Sequence, residues 1–178
     1  MSLRPKGYQR IPARTVRTAR AACPKGTPAM LVRDRLDVLF EDEVFASLYP
    51  ADGRPGLSPG QLALVSVLQF AENLSDGQAA DAVRTRIDWK YALGLELDDA
   101  GFDYSVLSEF RARLAEGDAA DRLLTVMLER LVEAGLHDNH VAELLDQALY
   151  HVEHLRLGLS DTPADSARDM DDDVPAAL

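Results

Sequence analysis

The sequence predicts an all-α fold, a compact helical domain of about six helices, and three observations carry that prediction. The apolar content is 47%, mostly Ala, Leu and Val with only 6% aromatic, which suits helix-on-helix packing better than a sandwich or barrel. No β-branched run is bounded by hairpin turns, so almost no sheet is expected. Between Leu57 and Leu114 the chain writes two consecutive helix starts in the same chemistry. Ser58, Pro59 and Gln61 supply an N-cap, a proline where the missing N–H costs nothing, and a glutamine to close the capping box. Ser75 and Gln78 repeat the cap and box after Asn73 and Leu74. With 178 residues, one domain with a real core and flanking tails is affordable.

In chain order, residues 1–26 read as a basic arm, interrupted by Pro5, Pro12, Pro24, Gly7 and Gly26, with room for a short helix over Ala13 to Cys23. A helical domain is expected over 27–158. Thr27 before Pro28 starts its first helix, with Met30, Leu31, Leu36 and Leu39 on or near one face. A short turn over Asp42 to Leu48 precedes a break at Tyr49 and Pro50, and Ala51 to Gly56 is a loop by its Gly and Pro content. The paired helices follow. The first carries Leu62, Val65, Leu68 and Gln69 to Glu72 at helical spacing. The second has Ala79, Ala80, Val83 and Ile87 as a small apolar face. Joined by about four turn residues, they satisfy a helix-turn-helix, and equally any helical hairpin.

Periodicity then fades over Trp89 to Leu97 and returns in Tyr104 to Leu114, with Val106, Leu107, Phe110 and Leu114 inward. Two further amphipathic helices are expected, one around Leu123 to Val132 and one over Asn139 to Leu157. The acidic segment 159–178 holds too little apolar surface to offset ordering entropy and is expected to be disordered.

Net charge is −11, but it is unevenly placed. Arg4, Lys6, Arg10, Arg14, Arg17, Arg20 and Lys25 give residues 1–30 a charge of +7 with no acid, leaving −18 on the rest. A basic arm on an acidic body suits contact with phosphate backbones, although the field of the whole chain opposes approach to DNA. Cys23 is the single cysteine, which excludes an internal disulfide and a zinc site with two thiolates. No apolar run approaches the length of a membrane span, and the expected setting is the cytoplasm.

Two groups of residues are candidates for nucleic acid. Gln78, Arg84, Arg86 and Lys90 lie on or just after the second helix of the pair. Gln and Arg can bond base edges bidentately, and Lys can take phosphate. Against this, Gln78 is also the box residue, Asp76 and Asp81 dilute the charge, and Arg84 and Arg86 sit about 200° apart around a helix. Arg10, Arg14 and Arg17 recur at helical spacing in the arm and form the better phosphate stripe, with no acid nearby. The histidines fall late, as His137-x-x-His140 and His151-x-x-His154. Two pairs separated by about 16 Å along one helix cannot make a single four-ligand site, so surface histidines and no metal or cofactor are expected. Trp89 and Tyr91 are expected to anchor the core. No Ser/His/Asp or Cys/His arrangement and no glycine-rich phosphate loop appears, so no catalytic residue can be named.

In the segments ARAACPKGTPAM (Ala19 to Met30), LSPGQLALVSVLQFAENLSDGQAADAV, RIDWKYALGLELDD and FDYSVLSEFRARL, the chain resembles the N-terminal region of bacterial insertion-sequence transposases with an InsH-like N-terminal domain. The resemblance covers roughly Met1 to Leu136. In that family the helical region precedes an RNase H-like domain whose three acids bind two divalent metals, the first acid in a Thr-Asp-Ser-Thr-like strand soon after the position of Gly135. Here HDNHVAELLDQALYHVEHLRLGL stands there instead. The resemblance therefore implies a truncated transposase module that binds double-stranded DNA at the element's ends and is non-catalytic by itself. The alternative is an interaction module, a homodimer or a hetero-oligomer with an intact transposase, built on the late Leu-rich helices. Neither reading involves a membrane.

Overall fold

A computed structural model describes residues 10–49 and 56–115, together with 125, 126, 129, 130, 150 and 153. The expected helices over Leu123 to Val132 and Asn139 to Leu157, the acidic tail, most of the 51–56 loop and the four histidines lie outside the described residues. Among the described residues the chain is all-helical, with six α-helices, one 3₁₀ helix and no strand. None of these helices is long and apolar enough to cross a membrane.

Helix α1 (Ala13–Ala22) follows Pro12 and buries Thr15 and Ala19. The short helix that the sequence allows within the arm is thus present, and it is docked. Thr15 Oγ1 donates to the Leu95 carbonyl at 2.8 Å, while Ala19 packs in a small cluster with Met30 and Tyr91. Helix α2 (Pro28–Leu36) starts as expected: the Thr27 hydroxyl accepts from the Met30 N–H, and Pro28 occupies the first turn. A 3₁₀ helix (Asp42–Leu48) then buries Phe45, whose ring meets Phe40 and Phe110 edge-on at 6.3 and 5.9 Å.

Helix α3 (Pro59–Ala71) is the axis of the fold, buried at every position from Leu62 to Phe70. Leu62, Val65 and Leu68 are inward as expected, but Ala63, Leu64 and Val67 are buried as well. LALVSVLQF carries no charge in nine residues, and a helix apolar all round belongs inside. Its start is clamped by a buried carboxylate: Asp42 Oδ1 accepts from the Ser58 hydroxyl at 2.6 Å and from the Gly60 N–H at 3.0 Å. A Cβ on Gly60 would press into the Phe40 carbonyl oxygen, so only glycine lets α3 approach so closely.

Helix α4 (Asp76–Thr85) carries the full capping box, with Ser75 and Gln78 exchanging bonds as the sequence predicts. The turn before it runs from Glu72 to Ser75, with Asn73 in the left-handed region at φ 53°. Arg86 is extended and ends α4, so Ile87 opens a separate helix α5 (Ile87–Leu93) instead of extending the α4 face. Gly94 closes α5 in the left-handed conformation, with the Leu95 N–H reaching back to the Lys90 carbonyl. Trp89 is fully buried and Tyr91 nearly so, as expected of core anchors. Helix α6 (Ser105–Ala115) starts on the Asp103 carboxylate and returns Leu107, Phe110 and Leu114 to the core around α3.

Candidate nucleic-acid interface

The candidate residues separate into exposed and occupied groups. On α1, Arg14 and Arg17 are exposed three residues apart, facing away from the side that Thr15 and Ala19 bury. Arg10 is also exposed but lies before the Pro12 N-cap, outside the regular helix. It shares a groove between α1 and α2 with Arg17, floored by Ile11, Ala13 and Val16 and walled opposite by Asp34 and Asp37. None of the described ion pairs engages Arg10, Arg14 or Arg17. The sequence reading of an arm with no acid nearby is corrected here, because folding sets Asp34 and Asp37 of α2 across the groove from Arg10 and Arg17.

Around α4 the picture differs. Gln78 spends its amide oxygen on the Ser75 N–H at 2.8 Å. Arg84 is exposed but 3.6 Å from Asp81 on the same face. The loop of Asp98, Asp99 and Asp103 is also exposed, and its Gly101 packs on the Arg84 backbone. Arg86 is held by Glu72 and Asp88 and lies over the Trp89 ring, 5.3 Å from its centroid. Partial burial works against its charge, but the hydrogen bonds it donates to the Asp88 and Glu72 carboxylates outweigh it and raise the guanidinium pKa above its ordinary value. Lys90 is 3% exposed and gives its Nζ to the Asp99 carbonyl at 2.7 Å. Arg86 and Lys90 thus stitch the α3–α5 junction and the following loop; of the α4 group Gln78 and Arg84 are exposed, Arg86 is half-buried and Lys90 is buried.

A second polar network ties α3, α4 and α6. Gln69, fully buried on α3, donates to the Leu74 carbonyl and to Asp76, and Asp76 takes two bonds from Arg111 at 2.8 and 2.5 Å. Desolvation pushes the Asp76 carboxyl upward, but the bonds from Arg111 and Gln69 outweigh it and hold the pKa below the usual carboxylate value. Gln69 Oε1 is buried without a hydrogen-bond partner. Among the described residues no group of His, Cys, Asp and Glu is arranged to hold a metal ion.

One cluster escapes sequence reasoning. Arg20 on α1 reaches Asp34 on α2 and the Tyr91 hydroxyl on α5. The only trace in the sequence is that Arg20 lies three residues beyond Arg17, because its partners are 14 and 71 positions away.

The pattern of the Transposase domain (DUF772) family matches residues 17–113, more than half of the chain and nearly all of its described helices. The chain belongs to this transposase domain family. Its members' domain begins inside α1 and ends in α6, so the docked α1 is partly within it. The chain is also similar to the HTH-type transcriptional regulator NmtR of Mycobacterium tuberculosis, at 40% identity over 74 residues. That stretch is 42% of this chain and 53% of the regulator, so the chain spans about half the length of the curated relative it matches. No solved structure matches.

Proposed function

We propose that this transposase-family domain binds double-stranded DNA at the ends of a mobile element, as the non-catalytic DNA-binding part of a transposition system. The single observation that carries the reading is the outer face of α1. Arg14 and Arg17 stand exposed and unpaired on a helix fixed to the body, with Arg10 beside them. Docking matters here, because contacts on a preorganised helix lose less ordering entropy than contacts from a flexible arm. Family membership and the likeness to an HTH-type regulator point the same way. Gln78 and Arg84 are placed as secondary contacts, since Asp81 sits on the same exposed face.

Three phosphate contacts give a slope of log K against log salt of about −2.7, or about 40-fold weaker binding at 200 mM than at 50 mM salt. Mobility shift of element-end and random duplexes across that range is the test. Binding that weakens with salt and favours the element ends supports the reading, and no shift at micromolar protein sinks it.

A further inference from the structure

Arg20 differs from the other α1 arginines in being tied on one side and open on the other. All of its hydrogen bonds leave from a single nitrogen: Nη2 lies 2.7 Å from each Asp34 carboxylate oxygen and 2.7 Å from the Tyr91 hydroxyl. A guanidinium carries five N–H donors, so the Nε–H and both Nη1–H remain. No described group takes them, and the side chain is 48% exposed while that of Asp34 is 25% exposed. The guanidinium lies 5.0 Å from the centroid of the Tyr91 ring, which restricts its rotation. Along α1, Arg20 is about 60° and about 4.5 Å from Arg17, adjacent to the exposed stripe.

We infer that Arg20 is a fourth phosphate-contacting residue of the α1 face, oriented by Asp34 and Tyr91 through Nη2 while its free N–H groups meet a backbone phosphate of duplex DNA. This rests on the DNA-binding reading above. Asp34 has two effects on it. The carboxylate fixes the guanidinium in place, and its negative charge repels the incoming phosphate. Because Thr15 anchors α1 to the Leu95 carbonyl independently, the helix stays docked when Asp34 loses its charge.

A purely structural tie and a phosphate ligand make different predictions. If Arg20 only fastens α1 to α2 and α5, then Arg20→Gln leaves the salt slope at its wild-type value, and Asp34→Asn, which cuts the same tie, gives no gain beyond the charge it removes opposite Arg10 and Arg17. If Arg20 is a ligand, Arg20→Gln weakens binding but Asp34→Asn, which removes a repelling charge and keeps an acceptor oxygen, tightens it several-fold at low salt.

The experiment measures affinity for a duplex of about two helical turns, about 20 bp, across salt concentration for the full chain and its variants, each checked by thermal melting. Four contacts predict a wild-type slope of about −3.6, and Arg20→Gln lowers its magnitude by about 0.9. Weaker binding by Asp34→Asn in parallel with Arg20→Gln, or a wild-type slope in Arg20→Gln, overturns the inference. Arg14→Gln and Arg17→Gln separate the two failures. If neither changes the slope, the DNA reading itself fails; if both do and Arg20→Gln does not, only the role of Arg20 fails.

Discussion

Gly60 and Gly77 show how one substitution takes opposite signs from its surroundings. At Gly60 a methyl group would meet the Phe40 carbonyl oxygen, which is main chain and cannot rotate aside, and would crowd the Asp42 carboxylate that caps α3. Gly60→Ala should therefore cost about 1–3 kcal/mol, the range for overpacking a closed site. At Gly77, in the first turn of α4, a Cβ meets nothing within 4 Å. Gly77→Ala should stabilise by about 0.5–1 kcal/mol, because alanine loses less backbone freedom on entering a helix. Urea midpoints moving down for the first variant and up for the second, at unchanged slope, would verify both. A Gly60→Ala midpoint at the wild-type value would mean that α3 does not approach the Phe40 backbone so closely.

At the scale of elements, the Asp76–Arg111 pair fastens the start of α4 to α6, with side chains only 20% and 14% exposed. The Asp76 pKa is lowered on folding, so its contribution is complete above the unfolded carboxylate value and is lost as pH falls through the folded one. Asp76→Asn should therefore cost about 2 kcal/mol at neutral pH, and that difference should shrink as pH drops below the ordinary carboxylate range. Thermal melts of both proteins from neutral to strongly acid pH provide the check, and a constant gap at every pH would count against the assigned linkage. Elements with local signals were legible in the sequence. The caps at Thr27, Ser58 and Ser75 sit within three residues of the N–H groups they satisfy. Helix α5 was obscure because its seven residues are held from a distance, by Glu72 on Arg86 and on the Trp89 indole. The docking of α1 was hidden for the same reason: its buried face is Thr15 and Ala19, too small to mark a periodic stripe, and the acceptor for Thr15 lies 80 positions on. Lys90 read as a surface cation because nothing near it in sequence announces the Asp99 carbonyl that takes its ammonium.

At the scale of the whole molecule, residues 1–30 carry +7 in a chain whose net charge is −11. The two signs act over different ranges. In the proposed reading, contacts between the α1 arginines and phosphates would operate at hydrogen-bond distance, where salt acts by counterion release. Repulsion between the acidic body and the duplex acts over the screening length, about 10 Å at 0.1 M salt and about 30 Å at 0.01 M. Thirty ångströms is about the diameter of a small domain, so at low salt the duplex feels the full acidic chain, and at 0.1 M it feels mainly the face it touches. The affinity for duplex DNA should accordingly follow the full linear slope between about 0.1 and 0.2 M salt and flatten as salt falls toward about 0.01 M. Equilibrium titrations by fluorescence anisotropy over that range would reveal the curvature. A plot that stays straight at its full slope down to the lowest salt would show that the acidic body does not oppose approach, and that the α1 face meets DNA shielded from the rest of the molecule.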